Sequence, residues 1–140
     1  MARKIEFRAW DKEEERFIYS NESYDDHWFE FSNESLRAFG LSDIPSTIYE
    51  PPGVKSRELE EPQQFMGLLD KNGNRVWEGD ILKWQGYEVQ NGKQIRPERK
   101  WLVEWDFETL FKIQNLIRNN GTIEVIGNIW ENPELLEGDK

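Results

Sequence analysis

Phe65-Met-Gly-Leu-Leu-Asp-Lys-Asn-Gly-Asn-Arg-Val-Trp-Glu-Gly-Asp-Ile-Leu82 decides how this chain folds. Two apolar runs flank Asp70-Lys71-Asn72-Gly73-Asn74, and Asn72-Gly73 suits a turn that needs positive φ between paired strands. Gly79-Asp80 marks a second backbone irregularity, after which Ile81-Leu82-Lys83-Trp84 sets off as another strand. The chemistry is that of a folding nucleus, not of an active site.

Downstream, the spacing predicts strands from Ile81 to Val89 and at Gln94–Ile95, paired across Asn91-Gly92. Trp101, Val103 and Trp105 alternate with Leu102 and Glu104 as a further strand. Residues 107–117 fit two patterns. Phe107, Leu110, Phe111, Gln114 and Ile117 suit a helix face, while Phe111, Ile113 and Asn115 alternate; we read a hairpin returning along Lys112–Leu116. Thr122–Trp130 is the clearest strand, with Ile123, Val125 and Ile129 on one face. Asn132-Pro133-Glu134-Leu135-Leu136 then reads as a cap and one helical turn.

Upstream, Ile5–Tyr19 reads as a hairpin around the charged turn Asp11–Glu15. The pattern loosens from Ser20 to Gln64. Trp28, Phe29 and Phe31 suit a short strand; Glu34–Phe39 suits one or two helical turns capped by Ser32 or Asn33 and ended by Gly40. Pro45, Pro51, Pro52 and Pro62 make residues 42–62 an irregular connection or lid.

The 140 residues are expected to form a single domain: a hairpin over 1–19, a connection over 20–64, a β-rich body over 65–136 and a tail over 137–140. The class is mainly β, a β-rich α+β fold, because aromatics make up 14% of the chain and favour strands. The absence of cysteine excludes disulfides, thiolate metal sites and a thiol nucleophile. No apolar run approaches the ~20 residues of a membrane span, and Met1–Ile5 does not read as a signal peptide. A net charge of −10 disfavours a general affinity for DNA or membranes.

Three stretches together resemble the YopX family of phage and prophage proteins. They are Ile5-Glu-Phe-Arg-Ala-Trp-Asp11, Gln64–Ile81 overlapping the central stretch, and Glu124-Val-Ile-Gly-Asn-Ile-Trp-Glu-Asn-Pro-Glu-Leu-Leu136. Trp77 and Trp130 stand where the family tends to have tyrosine. The resemblance implies an SH3-like small barrel in the C-terminal half, a bacterial or phage cytoplasmic setting, and self-association. It implies no enzymatic activity and supplies no catalytic residues.

Four constellations carry candidate chemistry. Asp70, Asn72 and Asn74 imitate the start of a calcium loop. The match fails at Arg75, where glycine is needed, and at Ile81, where a bidentate Glu is needed. Asp25-Asp26-His27 is where the single histidine meets carboxylates. With no second His or Cys to close a site, the expectation is no metal and no cofactor. Glu78 and Asp80 flank Gly79 as an acid–base pair would, but accepting backbone N–H bonds at the bend is the more ordinary role. Lys83, Lys93, Arg96, Arg99 and Lys100, with Glu88 and Glu98, give residues 83–100 a charge of +3 against −13 for the remainder. Trp84, Tyr87 and Trp101 lie among these cations, as in barrels that bind single strands.

The expected function is that of a non-enzymatic phage or prophage accessory protein. It acts through protein contacts with a host or phage partner and as a homo-oligomer in the bacterial cytoplasm. A single-stranded nucleic-acid-binding barrel is the alternative, disfavoured by net charge. An acidic DNA mimic or inhibitor of a host enzyme is the third reading.

Overall fold

The computed structural model describes residues 5–32, 34–48 and 50–137, residue 137 by its backbone alone. The readings of Met1–Lys4, of Asn33 as a cap and of residues 138–140 as a tail lie outside the described residues. The chain divides into two compact units, one spanning Ile5–Gln63 and the other running from Gln64 onward.

In the first unit the expected hairpin is present. Strands β1 (Phe7–Asp11) and β2 (Arg16–Tyr19) pair antiparallel, with Ala9 opposite Ile18. Asp11 shapes the turn, its Oδ1 accepting the N–H groups of Glu13 and Glu14 at 3.0 and 3.2 Å. Beyond it, the irregular connection expected over 20–64 is instead largely a three-stranded antiparallel sheet. Its strands are β3 (His27–Ser32), β4 (Ser35–Ile44) and β5 (Gly53–Glu58), with β4 in the middle. Of the helical turn expected over 34–39, residues 35–39 are part of β4. Ala38, Gly40 and Ser42 are buried at every second position of that strand. A buried face made of small and polar residues hides its period of two, because Gly and Ser read as turn formers. The prolines lie outside the strands, consistent with their missing N–H. Ala9, Ile18, Ala38 and Leu59 form the core of this unit, with Tyr24 and Phe29 against it.

In the second unit the central hairpin appears as read. Strands β6 (Gln63–Leu69) and β7 (Arg75–Trp77) pair with Leu69 opposite Arg75, and Gly73 turns at φ 83°. The register shifts between Phe65 and Leu68, where Gly67 sits at φ 80°. Gly79, at φ 87°, gives the bend that launches β8 (Asp80–Gln85). A hairpin follows, β9 (Glu88–Gln90) with β10 (Lys93–Ile95). Asn91 and Gly92 take φ 51° and 75°, the two positive angles of a primed turn. Strand β8 is the middle of a three-stranded sheet between β11 (Glu98–Leu102) and β12 (Thr122–Asn128), and β12 bulges between Val125 and Gly127.

Residues 107–117 are not a hairpin: helix α1 spans Phe107–Arg118. Asp106 caps it, accepting the Thr109 N–H at 2.7 Å, which holds its carboxyl below the usual range; Glu108 and Arg118 match the helix dipole. Thr109 and Ile113 are buried and Leu110 and Leu116 half-buried, so the helix rests on a face other than the one Phe107 and Phe111 occupy. Gly121 accommodates the helix end, since a Cβ there would lie 2.4 Å from Leu116 Cδ1. Strand β11 ends at Leu102, before the expected Trp105. A short α2 (Glu134–Glu137) follows Asn132-Pro133. Met66, Val76, Leu82, Val103, Ile113 and Ile123 form this unit's core. The fold is mainly β with two short helices, and no described helix is long and apolar enough to cross a membrane.

Candidate functional site

In the second unit, α1 packs through Ile113 against Leu82 and Ile123 of the sheet and leaves a groove of about 780 Å³ beside it. Trp84 on β8 and Trp101 on β11 form an aromatic pair along it, with ring centroids 5.7 Å apart. Gly86 lets the helix approach, because a Cβ there would stand 2.7 Å from Leu116 Cδ1. Phe111, Lys112, Asn115 and Asn119 line the groove from the helix. At its rim Phe107 and Phe111 stack, centroids 6.0 Å apart, with 82% and 58% of their surfaces exposed.

The five cations singled out from the sequence do not converge. Arg99 and Lys100 line the groove, but Arg99 pairs with Glu88 at 3.7 Å, and the Lys100 ammonium donates to the Leu135 carbonyl at 3.4 Å. Lys83 faces Glu124 and Glu98, at 3.4 and 3.9 Å. Arg96 stacks over the Tyr87 ring at 5.2 Å, and Lys93 is exposed on β10. Lys112 was missed in the sequence because its segment was read as a hairpin. It lies 5.8 Å from the centroid of the Trp101 ring and pairs with Glu108 at 2.9 Å. Glu88 and Glu98 also line the groove, so its walls carry both signs of charge.

The other constellations resolve into structure. Asp70 Oδ1 accepts the N–H groups of Asn72 and Asn74 at 2.9 and 2.8 Å, and its Oδ2 accepts that of Val125 at 2.9 Å. Burial opposes the charge on Asp70, but these bonds outweigh it and hold the carboxyl below its usual range. Glu78 accepts the Gln64 N–H at 3.1 Å and buried Asp80 that of Trp77 at 2.7 Å, which is the backbone role read for them.

In the first unit, His27 gathers more carboxylates than its sequence neighbours showed. Its Nδ1 lies 2.7 Å from Asp26 Oδ1, and its Nε2 lies 2.7 Å from Asp11 Oδ2 and 2.8 Å from Glu14 Oε2. The Arg57 guanidinium pairs with Asp11, Glu13 and, at 3.5 Å, Glu14, and donates to the Leu41 carbonyl and Ser42 Oγ. Asp11 and Glu14 come from the first hairpin's turn, and no local spacing in the sequence links that turn to His27.

The sequence profile described as YopX protein matches residues 6–137. The chain belongs to the YopX family. No curated protein matches it. Among solved structures, the chain is similar to protein EF1440 from Enterococcus faecalis, with 23% identity and a TM-score of 0.47. That match covers 96% of this chain and 99% of the other. YopX membership brings no assigned chemistry to the groove or to the histidine cluster, so their reading rests on geometry.

Proposed function

We propose that this YopX protein is a non-enzymatic phage or prophage accessory protein that works by protein contact, with the α1 groove as its docking surface and a second copy of the chain as occupant. The observation that carries this reading is the stacked, exposed Phe107–Phe111 pair beside a Trp-floored groove. Exposed aromatic anchors around a concavity are the features from which protein interfaces draw most of their energy. The mixed charge of the walls favours protein over nucleic acid, since Glu88 and Glu98 repel phosphate where single-strand binders need unopposed cations. The chain also supplies its own complement: residues 83–100 carry +3 and the remainder −13. The reading as a non-enzyme is supported by Glu78 and Asp80, whose carboxylates accept backbone N–H groups. Within the second unit we read an SH3-like barrel, supported by the β11-β8-β12 sheet, the β6–β7 hairpin and the bulge that bends β12.

Sedimentation equilibrium tests the docking surface. The wild-type chain is expected to self-associate, and Phe107→Ser with Phe111→Ser to shift it to monomer without lowering its melting temperature. A wild-type chain that stays monomeric at every concentration, or association that the double change leaves intact, would overturn the reading.

A further inference from the structure

His27 stands at the start of β3 with its side chain 0% exposed. Both ring nitrogens lie within 2.8 Å of carboxylate oxygens: Nδ1 faces Asp26, and Nε2 faces Asp11 and Glu14 together. A neutral imidazole has one N–H to give. If Nδ1 donates it to Asp26, the buried Nε2 lone pair points at two anionic oxygens, an arrangement that a proton or a cation between them relieves. A carboxylate on Nδ1 that orients the ring while Nε2 faces an anionic pocket is how proteins hold a metal-ligating histidine.

We propose that Nε2 of His27, Oδ2 of Asp11 and Oε2 of Glu14 bind a divalent first-row transition-metal ion. One imidazole and two carboxylates suit Zn²⁺ or Mn²⁺, whereas Mg²⁺ prefers an all-oxygen shell. The charges agree: Asp11, Glu13, Glu14 and Asp26 carry four negative charges against two positive on Arg57 and Arg16, which lie 3.5 and 3.3 Å from Glu14, so a divalent ion offsets the remaining surplus. Arg57 pins Asp11 while Leu41 and Ser42 hold its other side, which fixes one ligand before any ion arrives. Glu14, 38% exposed on the turn, is the ligand that adjusts, turning from its ion pairs with Arg16 at 3.3 Å and Arg57 at 3.5 Å. It must back away slightly, because donors on bonds of about 2.0–2.2 Å sit roughly 3 Å apart or more around one ion. Gly40 keeps the ring's place open, since a Cβ there would stand 2.9 Å from both Nε2 and Cδ2. The remaining coordination positions open on the Glu14 side and take water.

Calorimetric and thermal titration of the chelator-treated full chain with Zn²⁺, Mn²⁺ and Mg²⁺ tests the site. One equivalent of Zn²⁺ is expected to bind and, at about a hundredfold over Kd, to raise the melting temperature by roughly 5 °C or more. Mg²⁺ should bind more weakly. Glu14→Gln, at a surface position, should fold as the wild type does and lose roughly 10-fold or more in Zn²⁺ affinity. His27→Gln removes the nitrogen ligand but risks the fold, so the ring ¹⁵N shifts of wild-type His27 give a second reading. Zn²⁺ should move the Nε2 resonance to a metal-bound value. Absence of binding, binding that Glu14→Gln leaves unchanged, or a ring protonated at both nitrogens under excess Zn²⁺ would each overturn the proposal.

Discussion

Asp70→Asn isolates what the central turn contributes. The wild-type carboxylate gives one oxygen to the turn, at Asn72 and Asn74, and the other to Val125 on β12. An amide of the same shape keeps one acceptor and turns an NH₂ toward donors on the other side. Hydrogen bonds to a charged group contribute about 1.5–3 kcal/mol, and a donor left unpaired costs about 1–3 kcal/mol. Asn72 and Asn74 lie at the exposed tip and can bond water, whereas the Val125 N–H is half-buried. The expected cost of Asp70→Asn is therefore about 2 kcal/mol, and that of Asp70→Ala, which removes both acceptors, about 4 kcal/mol. Urea denaturation by linear extrapolation measures both, with unchanged slopes as the sign that the unfolded state is unaffected. The pH dependence gives the second half of the test. The folded carboxyl sits below its ordinary value of 3.8, so its stabilisation is full above that value and is lost as pH falls through the folded pKa. Asn does not titrate, so the gap between the two proteins should be about 2 kcal/mol near neutral pH and shrink as pH falls below 3.8 through the folded value. Asp26, Glu58 and Asp106, whose carboxyls are also held low, are present in both proteins and cancel in the difference. A gap within about 0.5 kcal/mol of zero, or one indifferent to pH, would refute the tether between turn and β12.

Gly73→Val should cost about 1–2 kcal/mol through backbone strain alone, because φ is 83° and a Cβ would meet nothing within 4 Å. Gly73→Asn should cost less, since Asn tolerates the left-handed region, and equal melting curves for wild type and Gly73→Val would count against the strained turn. Changing Arg96, Arg99 and Lys100 together to Ser should leave the anisotropy of a labelled single-stranded oligonucleotide as it is with wild type, showing no specific binding. Sub-micromolar binding by wild type, lost in the triple variant and steep in salt, would establish the nucleic-acid reading instead.

The parts of the fold legible in the sequence are those where local chemistry and tertiary packing agree. Asn72-Gly73 and Asn91-Gly92 demand positive φ wherever they occur, and both turns formed. Strand β4 was illegible because its inward face is Ala38, Gly40 and Ser42: small residues chosen by close approach, as Gly40 against the His27 ring shows, and not by apolar bulk. Periodicity measures bulk, so a strand buried through small side chains leaves no alternating signal. Helix α1 misled in the opposite sense. Its large residues Phe107 and Phe111 stay mostly exposed, and its buried face is Thr109 and Ile113, so the apolar pattern was led by two residues that contribute little to the core.

The same inversion bears on function. Residues whose apolar or polar character the fold does not use are the ones local pattern misplaces, and they are where function is expected to lie. Phe107 and Phe111 carry apolar surface that folding leaves in water, which is a cost unless a partner covers it. His27 and Asp11 carry polar atoms that folding removes from water, which is a cost unless a proton or a cation joins them. The sequence marked the aromatic and cationic content of the groove through Trp84, Trp101, Arg99 and Lys100, since these fall in or next to the one stretch, residues 83–100, whose charge runs against the rest of the chain. It could not mark the histidine cluster, whose ligands are 13 and 16 positions from His27 on a separate turn. Only the pairing of β1 with β2 and the course of β3 and β4 bring them together.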